Sequence, residues 1–287
     1  MTQPTIGIIG LGNMGRGMAC SAARAGFRVY GYDPAAGNDA TLTEAGVTKA
    51  ESLAELSRAS NCIVLSLPNS AIVESVILGK AGLAGLISKS TLLLDTSTAD
   101  PNSTRRIAKT LQGTPIRFVD GPVSGGPRAA MAGTMTMLLG GSQDDIAGLA
   151  SLLDALCAKR VHVGEVGSGH AAKLFNNLLC GLNLIANGEA IRAAKALNLD
   201  IEKLFEGINA GSGRSGVSEF NVPNWILNDA FDSGFSMGLM RKDLRLANEL
   251  LQQADVTAPL SRHALQIWSD SAATLADELD FNHIVKV

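Results

Sequence analysis

Hydrophobic and polar positions in the first half of the chain follow two alternating patterns. Short apolar runs, rich in β-branched residues, are separated by longer segments with apolar residues at helical spacing. The runs that predict strands are Thr5–Ile9, Arg28–Tyr32, Asn61–Leu67, Thr91–Leu94, Arg117–Val119 and Thr134–Leu139. Strands that alternate with helices imply βαβ units and a mostly parallel sheet. Residues 1–164 are therefore predicted to form an α/β domain with a mostly parallel sheet.

Helix signals lie between several of these strands. The predicted helices include Gly15–Ala25, Ser52–Ser60 and Pro101–Leu111. Asp100 is placed as an N-cap before a proline at the first helical position. Ser142 and Asp145 have the spacing of a capping box, which predicts a further helix that runs to about Cys157.

The pattern changes after Gly164 and becomes helical throughout. A helix is predicted from about residue 170 to 197, and at ~1.5 Å per residue it would be on the order of 40 Å long. Further helices are predicted at Ile201–Asn209, about Met237–Gln253 and Pro259–Ala276, with a loop-rich stretch at Gly211–Gly234. We therefore expect residues 165–287 to form an all-α domain, in which the long interdomain helix is included.

The composition of the 287 residues narrows the class of protein. Apolar residues make up 46% of the chain, enough for a substantial core. The net charge of −3 gives no sign of binding to nucleic acid or to an anionic membrane. The four cysteines and four histidines show no metal-binding spacing, and the cysteines are expected to be buried, reduced thiols. For the same reason we expect no metal site. The start, MTQPTIGIIG, lacks the features of an export signal, so we expect a cytoplasmic protein.

A glycine-rich segment follows the first predicted strand. Gly10, Gly12 and Gly15 form the pattern GxGxxG directly before a helix. In a dinucleotide-binding loop these glycines allow a tight turn, close approach of the pyrophosphate, and close packing of helix and strand. Asp33 ends the second predicted strand, where a carboxylate accepts hydrogen bonds from ribose hydroxyls. The alternatives are a glycine-rich turn without a ligand and a methyltransferase loop.

Three further segments carry candidate chemistry. Ser124, Gly125 and Gly126 form a turn whose backbone N–H groups suit a carboxylate, although an ordinary turn is the alternative. Lys173 precedes Asn177 by four residues on the long helix, which suits an acid–base amine oriented by an amide. The alternative is a pair of polar residues near a helix end. Lys242 begins a charged turn of a predicted helix, which by itself is typical of a solvated surface.

Together these segments resemble the β-hydroxyacid dehydrogenase family, which includes 3-hydroxyisobutyrate dehydrogenases and tartronate semialdehyde reductases and is related to 6-phosphogluconate dehydrogenase. The matching motifs, in order, are Gly10-Leu-Gly-Asn-Met-Gly15, Asp120-Gly-Pro-Val-Ser-Gly-Gly126, Gly169-His-Ala-Ala-Lys173-Leu-Phe-Asn-Asn177 and Lys242-Asp-Leu-Arg-Leu-Ala247. The resemblance covers essentially the whole chain. It implies a Rossmann-type domain, an interdomain helix with the catalytic lysine, and a helical domain used for substrate closure and oligomerisation.

The resemblance also implies a role for individual residues. Lys173 would be the general acid/base, and Asn177 would orient the substrate that Ser124, Gly125 and Gly126 hold. The residues implied to line the cofactor, besides the three glycines, are Asn13, Met14, Asp33, Leu67, Thr98 and Lys242.

Two features bear on specificity. Pro34–Gly37, the run after Asp33, contains no arginine that could bind the 2′-phosphate of NADP, so NAD is the expected cofactor. Many 3-hydroxyisobutyrate-type members carry a tryptophan at about the position of Gly216, so we expect a substrate side chain larger or more polar than a methyl group.

The predicted function is that of an oxidoreductase that transfers a hydride between NAD(H) and a short β-hydroxy acid or its oxo-acid or semialdehyde. A homodimer or homotetramer is expected. The alternatives are an inert dinucleotide-binding module that acts through protein contacts, an imine reductase-like enzyme, and a decarboxylating sugar-phosphate dehydrogenase. Inert relatives and imine reductases generally lack the lysine, and the chain is short for the third class.

Overall fold

The computed structural model describes residues 4–35, 37 and 39–287. The expected absence of an export signal rests partly on Met1–Gln3, which lie outside the described residues, as does Ala36 in the arginine-free run after Asp33. The chain divides into two compact units, Met1–Lys173 and Leu174–Val287.

A nine-stranded sheet forms the centre of the first unit as far as the structure describes it. Its strands are β1 Ile6–Ile9, β2 Val29–Tyr32, β3 Thr48–Lys49, β4 Cys62–Leu65, β5 Thr91–Asp95, β6 Ile116–Asp120, β7 Val123–Ser124, β8 Met135–Gly140 and β9 Cys157–Gly164. The order is β3-β2-β1-β4-β5-β6-β8-β7, with β9 paired to β8. The pairs from β3 to β6 are parallel, whereas β8 is antiparallel to both β6 and β7. The predicted Rossmann-type α/β domain is confirmed.

Helices cover both faces of this sheet. They are α1 Asn13–Arg24, α2 Ala40–Glu44, α3 Leu53–Ala59, α4 Ser70–Leu78, α5 Leu83–Leu86, α6 Pro101–Thr110, α7 Gly126–Ala132, α8 Gln143–Gly148 and α9 Ala150–Leu156. Successive residues of one strand belong to different apolar clusters: Val64 packs with one cluster and Ile63 with the other. Because both faces are covered, parallel strands are apolar throughout, which is why the sequence shows them as continuous apolar runs.

Two helix starts have the N-cap residues that the sequence predicts. The Asp100 side chain accepts hydrogen bonds from the N–H groups of Asn102 and Ser103, with Pro101 at the start of α6. Ser142 accepts a hydrogen bond from Asp145 N at 3.1 Å, and its hydroxyl donates to the Asp145 carboxylate at 2.7 Å.

At the end of this unit one predicted helix is broken, and one strand was not predicted. The helix predicted up to Cys157 is broken at Leu149, directly after Gly148, because glycine has low helix propensity. Strand β9 was not predicted, since Lys159 and Arg160 interrupt its apolar pattern. Within the described part of the chain it pairs with β8 alone, and charged residues are common on such edge strands because they oppose pairing with other chains.

The second unit is all helical, as predicted. Helix α10, Ser168–Ala196, begins in the first unit and continues in the second. It is followed by α11 Ile201–Ala210, a π-helix Val217–Ile226, α12 Met237–Gln253 and α13 Pro259–Asp270, and by 3₁₀ turns at Ser271–Ala273 and Phe281–Lys286. Trp268 is fully buried in this unit, where its indole N–H donates to the Gly181 carbonyl at 3.3 Å.

The π-helix corrects the prediction of a loop-rich stretch at Gly211–Gly234. Its buried residues Val217, Val222 and Ile226 are five and four positions apart, which is wider than the three- and four-residue spacing of an α-helix. Leu227 N donates to the Val222 carbonyl, five residues back, which is the π-helical hydrogen bond. Helix α13 likewise ends at Asp270 rather than at Ala276.

Candidate active site

The glycine-rich loop connects β1 to α1, and two of its glycines are required by geometry. Gly10 has a φ of +88°, and a Cβ atom there would overlap the Ser66 carbonyl oxygen. A Cβ atom at Gly15 would overlap the carbonyl oxygen of Gly10. Only glycine therefore allows this turn and this distance between helix and strand.

Gly12 differs from the other two because nothing lies within 4 Å of the position that its Cβ would take. Gly12 is the N-cap residue of α1, and it has no side chain that could accept hydrogen bonds from the first N–H groups of the helix. The first turn also contains no acidic residue. The N–H groups at a helix start need partners, and together with the helix dipole they attract phosphate. A pyrophosphate therefore fits this open cradle, which Gly12, Asn13 and Met14 would line.

Asp33 is tied to the same loop. One carboxylate oxygen, Oδ2, accepts a hydrogen bond from Leu11 N at 2.8 Å, and the other accepts from Ala35 N at 2.9 Å. A carboxylate oxygen has two acceptor positions, so both oxygens keep capacity for a ribose hydroxyl. Arg16, the first residue after the loop, forms an ion pair with Asp39, in which Nη1 lies 3.5 Å from Asp39 Oδ2.

The segments that carry Leu67 and Thr98 follow the neighbouring strands β4 and β5. Leu67 N donates to the Ser97 hydroxyl at 2.9 Å, and Ser97 N donates to the Asp95 carboxylate at 3.0 Å. Thr96 Oγ1 donates to the Leu65 carbonyl at 2.6 Å. The two segments are therefore linked at the carboxyl ends of parallel strands, where ligands bind in open α/β sheets.

Lys173 and Ser124 are brought together. Lys173 Nζ lies 3.0 Å from the Ser124 hydroxyl oxygen, and the lysine is only 8% exposed. Ser124 ends the short strand β7, and Gly125 and Gly126 follow with φ values of +120° and +68°. Positive φ values at both glycines shape the tight turn into α7, as in a backbone nest.

Asp95, Asp120 and His170 were not predicted as functional residues, although all three are fully buried near these segments. Asp95 and Asp120 end the paired strands β5 and β6, directly opposite each other. The sequence did contain a signal for the two aspartates, because each directly follows an apolar run that predicts a buried strand. A carboxylate in such a place needs hydrogen-bond donors from neighbouring segments.

In the second unit, Asn177 is bound at both ends of its amide. Its Nδ2 donates to Asp243 Oδ2 at 2.6 Å, and its Oδ1 accepts from Asn176 Nδ2 at 3.0 Å. Lys242 Nζ lies 3.2 Å from Asp243 Oδ1. Because Asp243 is fully buried, the alternative of a solvated charged turn is wrong for this residue. The predicted contact of Lys242 with the cofactor stays a prediction.

Other features of the described residues bear on the chemistry. Burial raises the pKa of Cys62 to about 12, which keeps this thiol protonated, whereas Cys157 and Cys180 are only partly buried rather than buried as predicted. No described helix is long and apolar enough to cross a membrane, and within the same residues no group of three or more His, Cys, Asp or Glu side chains could hold a metal ion.

Family models cover almost the whole chain. Residues 5–164 match the NAD binding domain of 6-phosphogluconate dehydrogenase, and residues 167–287 match the NAD-binding domain of NADP-dependent 3-hydroxyisobutyrate dehydrogenase. The chain belongs to the β-hydroxyacid dehydrogenase family. The predicted resemblance is confirmed, and a nicotinamide dinucleotide is the cofactor of this family member.

Individual relatives are similar over nearly their full length. The chain is 36% identical to 2-(hydroxymethyl)glutarate dehydrogenase of Eubacterium barkeri, covering 98% of this chain and 94% of the relative. It is 32% identical to the mitochondrial 3-hydroxyisobutyrate dehydrogenase of Homo sapiens, covering 99% and 86%. A structure of Mycobacterium tuberculosis 3-hydroxyisobutyrate dehydrogenase with L-serine superposes with a TM-score of 0.89 at 31% identity, covering 99% of both chains. The chain is thus a hydroxyacid dehydrogenase by family.

Proposed function

We propose that this chain is an NAD-dependent dehydrogenase that interconverts a short β-hydroxy acid and its oxo-acid or semialdehyde. The observation that carries the proposal is the contact between the buried Lys173 amine and the Ser124 hydroxyl, 3.0 Å apart. Both residues belong to the unit that carries the glycine-rich loop. Burying an ionisable amine costs free energy, and a module that only binds a dinucleotide does not require such a group.

Lys173 acts as the general acid and base. In oxidation the neutral amine takes the proton of the substrate hydroxyl, and in reduction the ammonium returns it. When bound, the nicotinamide supplies the acceptor or donor of the hydride, while the protein supplies position and the proton. The Ser124 hydroxyl holds the amine in place and offers a hydrogen bond to the substrate oxygen.

The substrate carboxylate is assigned to the turn at Gly125 and Gly126. Consecutive backbone N–H groups in such a turn bind an anion without a positively charged side chain. Asn177 lies one helical turn after Lys173 on α10 and orients the substrate through an amide that Asp243 and Asn176 hold. The residues that remain assigned to the cofactor are Gly10, Gly12, Asn13, Met14, Gly15, Asp33, Leu67, Thr98 and Lys242.

A substrate panel tests the proposed function. We expect NADH formation at mildly alkaline pH from at least one β-hydroxy acid whose side chain is larger or more polar than a methyl group. A Cβ atom at Gly216 would meet no protein atom within 4 Å, so the backbone position itself accepts a side chain in Gly216→Trp. That variant should lower kcat/KM for the best substrate more than for 3-hydroxyisobutyrate. No turnover of any β-hydroxy acid would refute the function, and equal losses would remove Gly216 from specificity.

We expect a preference for NAD over NADP that depends on Asp33. The 2′-phosphate would meet a carboxylate already fixed by Leu11 N and Ala35 N. At an effective dielectric constant of about 20, two unit charges ~4 Å apart interact by about 4 kcal/mol, and a third of that is about tenfold in affinity. Asp33→Asn keeps an oxygen that can accept from the backbone, and it should lower the ratio of kcat/KM for NAD to that for NADP by about tenfold.

The control for this prediction is Asp154→Asn, which changes the net charge equally but replaces a carboxylate paired with Arg160. It should leave the cofactor ratio as in the parent. Preference of the parent for NADP, or an unchanged ratio in Asp33→Asn, would contradict the assignment.

We also expect a homodimer or homotetramer. On α10, Phe175 and Leu179 are four residues apart on one face and are 39% and 60% exposed. An apolar stripe of this kind is stabilised by burial against another chain. Light scattering at micromolar concentration should therefore report a dimer or tetramer, and Leu179→Glu should shift it toward the monomer. A monomeric parent would count against this expectation.

A further inference from the structure

Three ionisable side chains are buried together where β5 and β6 end and α10 begins. Asp95 and Asp120 are direct neighbours on the paired strands, and His170 lies in the first turn of α10. All three are 0% exposed. Burying such groups costs free energy unless they are paired and hydrogen-bonded, so their contacts need an explanation.

Asp120 holds the start of α10. Its Oδ1 accepts a hydrogen bond from Gly167 N at 2.6 Å, and its Oδ2 accepts from His170 N at 2.8 Å. Two N–H groups at the helix start are thus satisfied by one carboxylate, which also complements the helix dipole.

His170 connects this carboxylate to two further elements. Its Nδ1 lies 2.8 Å from Thr104 Oγ1 on α6, and 3.9 Å from Asp120 Oδ2. Its Nε2 lies 3.8 Å from Asp95 Oδ2, and neither of these two atoms has a hydrogen-bond partner among the described residues. Burial raises the pKa of Asp95, and the neighbouring His170 opposes that rise. The imidazole is therefore enclosed on both sides by acidic groups.

Asp95 extends the connection to the segments of the candidate site. Its carboxylate accepts from Ser97 N, and the Ser97 hydroxyl accepts from Leu67 N. Its carbonyl accepts from Gly121 N at 2.8 Å, at the start of the segment that leads to Ser124. His170 is three residues before Lys173 on one helix. The cluster thus touches the segments that carry the amine, its serine partner and two residues assigned to the cofactor.

We infer that His170, held between Asp95 and Asp120, is a positioning residue that fixes the start of α10 so that Lys173 meets Ser124 and the substrate hydroxyl. The inference rests on the proposed function, because it assigns to His170 the alignment of the general acid/base. His170 itself does not touch the reacting atoms. Its effect is expected in kcat rather than in cofactor binding, since a misplacement of about 1 Å can cost about 100-fold in rate.

The test compares His170→Ala, His170→Gln and Thr104→Val with the parent. His170→Ala should lower kcat by about 10- to 100-fold, with NADH affinity measured by fluorescence nearly unchanged. His170→Gln should recover most of this loss, because its amide can reach the Asp95 carboxylate. Thr104→Val removes the hydrogen bond to His170 Nδ1 together with one to the Asp100 carbonyl within the first turn of α6. It leaves the imidazole in place, so it should fold even if the others do not, and it should lower kcat by a smaller factor.

A matched control is Thr91→Val, at the opposite end of β5 from Asp95, where a buried hydroxyl donates to the Lys89 carbonyl at 3.0 Å. It should leave kcat as in the parent. Amide hydrogen exchange gives a readout independent of activity: residues 167–173 should exchange faster in His170→Ala than in Thr91→Val. Unchanged kcat in His170→Ala and Thr104→Val, or equal losses in the alanine and glutamine variants with unchanged exchange, would overturn the inference. A parent that oxidises no β-hydroxy acid would instead refute the proposed function itself.

Discussion

Replacement of Lys173 by alanine is expected to lower kcat by about 10²- to 10⁴-fold while leaving NADH affinity nearly unchanged. The amine is buried and lies 3.0 Å from Ser124 Oγ, so its removal takes away a positioned proton donor and acceptor without touching the glycine-rich loop. The measurement is steady-state turnover of the best β-hydroxy acid, with the dissociation constant of NADH determined separately by fluorescence.

Two controls separate acid–base chemistry from charge and packing. Lys173→Arg keeps the positive charge but cannot give up its proton at neutral pH, so it should be nearly as inactive as the alanine variant. A small primary amine added to Lys173→Ala should restore part of the turnover, whereas it should not stimulate Lys173→Arg. An active arginine variant, or near-parental kcat in Lys173→Ala, would show that the assigned role is wrong.

Gly12→Ala and Gly15→Ala should affect different properties, although the residues lie in the same loop. We expect Gly12→Ala to weaken NADH binding and Gly15→Ala to lower Tm. A Cβ atom added at Gly12 meets no protein atom within 4 Å, so the fold should tolerate Gly12→Ala. That methyl group projects into the space assigned to the pyrophosphate, and loss of a hydrogen bond to a charged group costs about 1.5–3 kcal/mol. NADH should therefore bind roughly ten- to a hundredfold more weakly.

At Gly15 the added methyl group overlaps the backbone of Gly10 instead. Overpacking of this kind typically costs about 1–3 kcal/mol, and more where backbone has to shift. Gly15→Ala should therefore lower Tm clearly, while Gly12→Ala should leave Tm close to that of the parent. Thermal denaturation and NADH titration of both variants check the pair. Normal cofactor affinity in a folded Gly12→Ala variant would contradict the assignment of this loop to the dinucleotide.

The parts of the structure that could be predicted from sequence are those set by local pattern. The turn from β1 to α1 requires glycine at residues 10 and 15, and the caps at Asp100 and Ser142 use side chains within three residues of their partners. Such interactions are visible in a short window of sequence. The buried parallel strands were found for the same reason, because each is a continuous apolar run.

The parts that could not be predicted depend on contacts between distant residues. Strand β9 exists because β8 offers it a partner, and its own exposed residues give only a weak signal. His170 and Asp95 are 75 positions apart in the chain, and the sequence around either residue does not indicate that the two side chains are neighbours. Family resemblance placed Lys173 and Ser124 in one site, but their direct contact across 49 positions became visible only in the structure.

Hydride transfer assisted by Lys173 is tested most directly with a β-hydroxy acid labelled with deuterium at the carbon that bears the hydroxyl group. After incubation with NAD, the deuterium should be recovered in NADH by NMR, at a rate that falls by about 10²- to 10⁴-fold in Lys173→Ala. Recovery of the label in solvent water rather than in NADH, or transfer at the parental rate in Lys173→Ala, would contradict this mechanism.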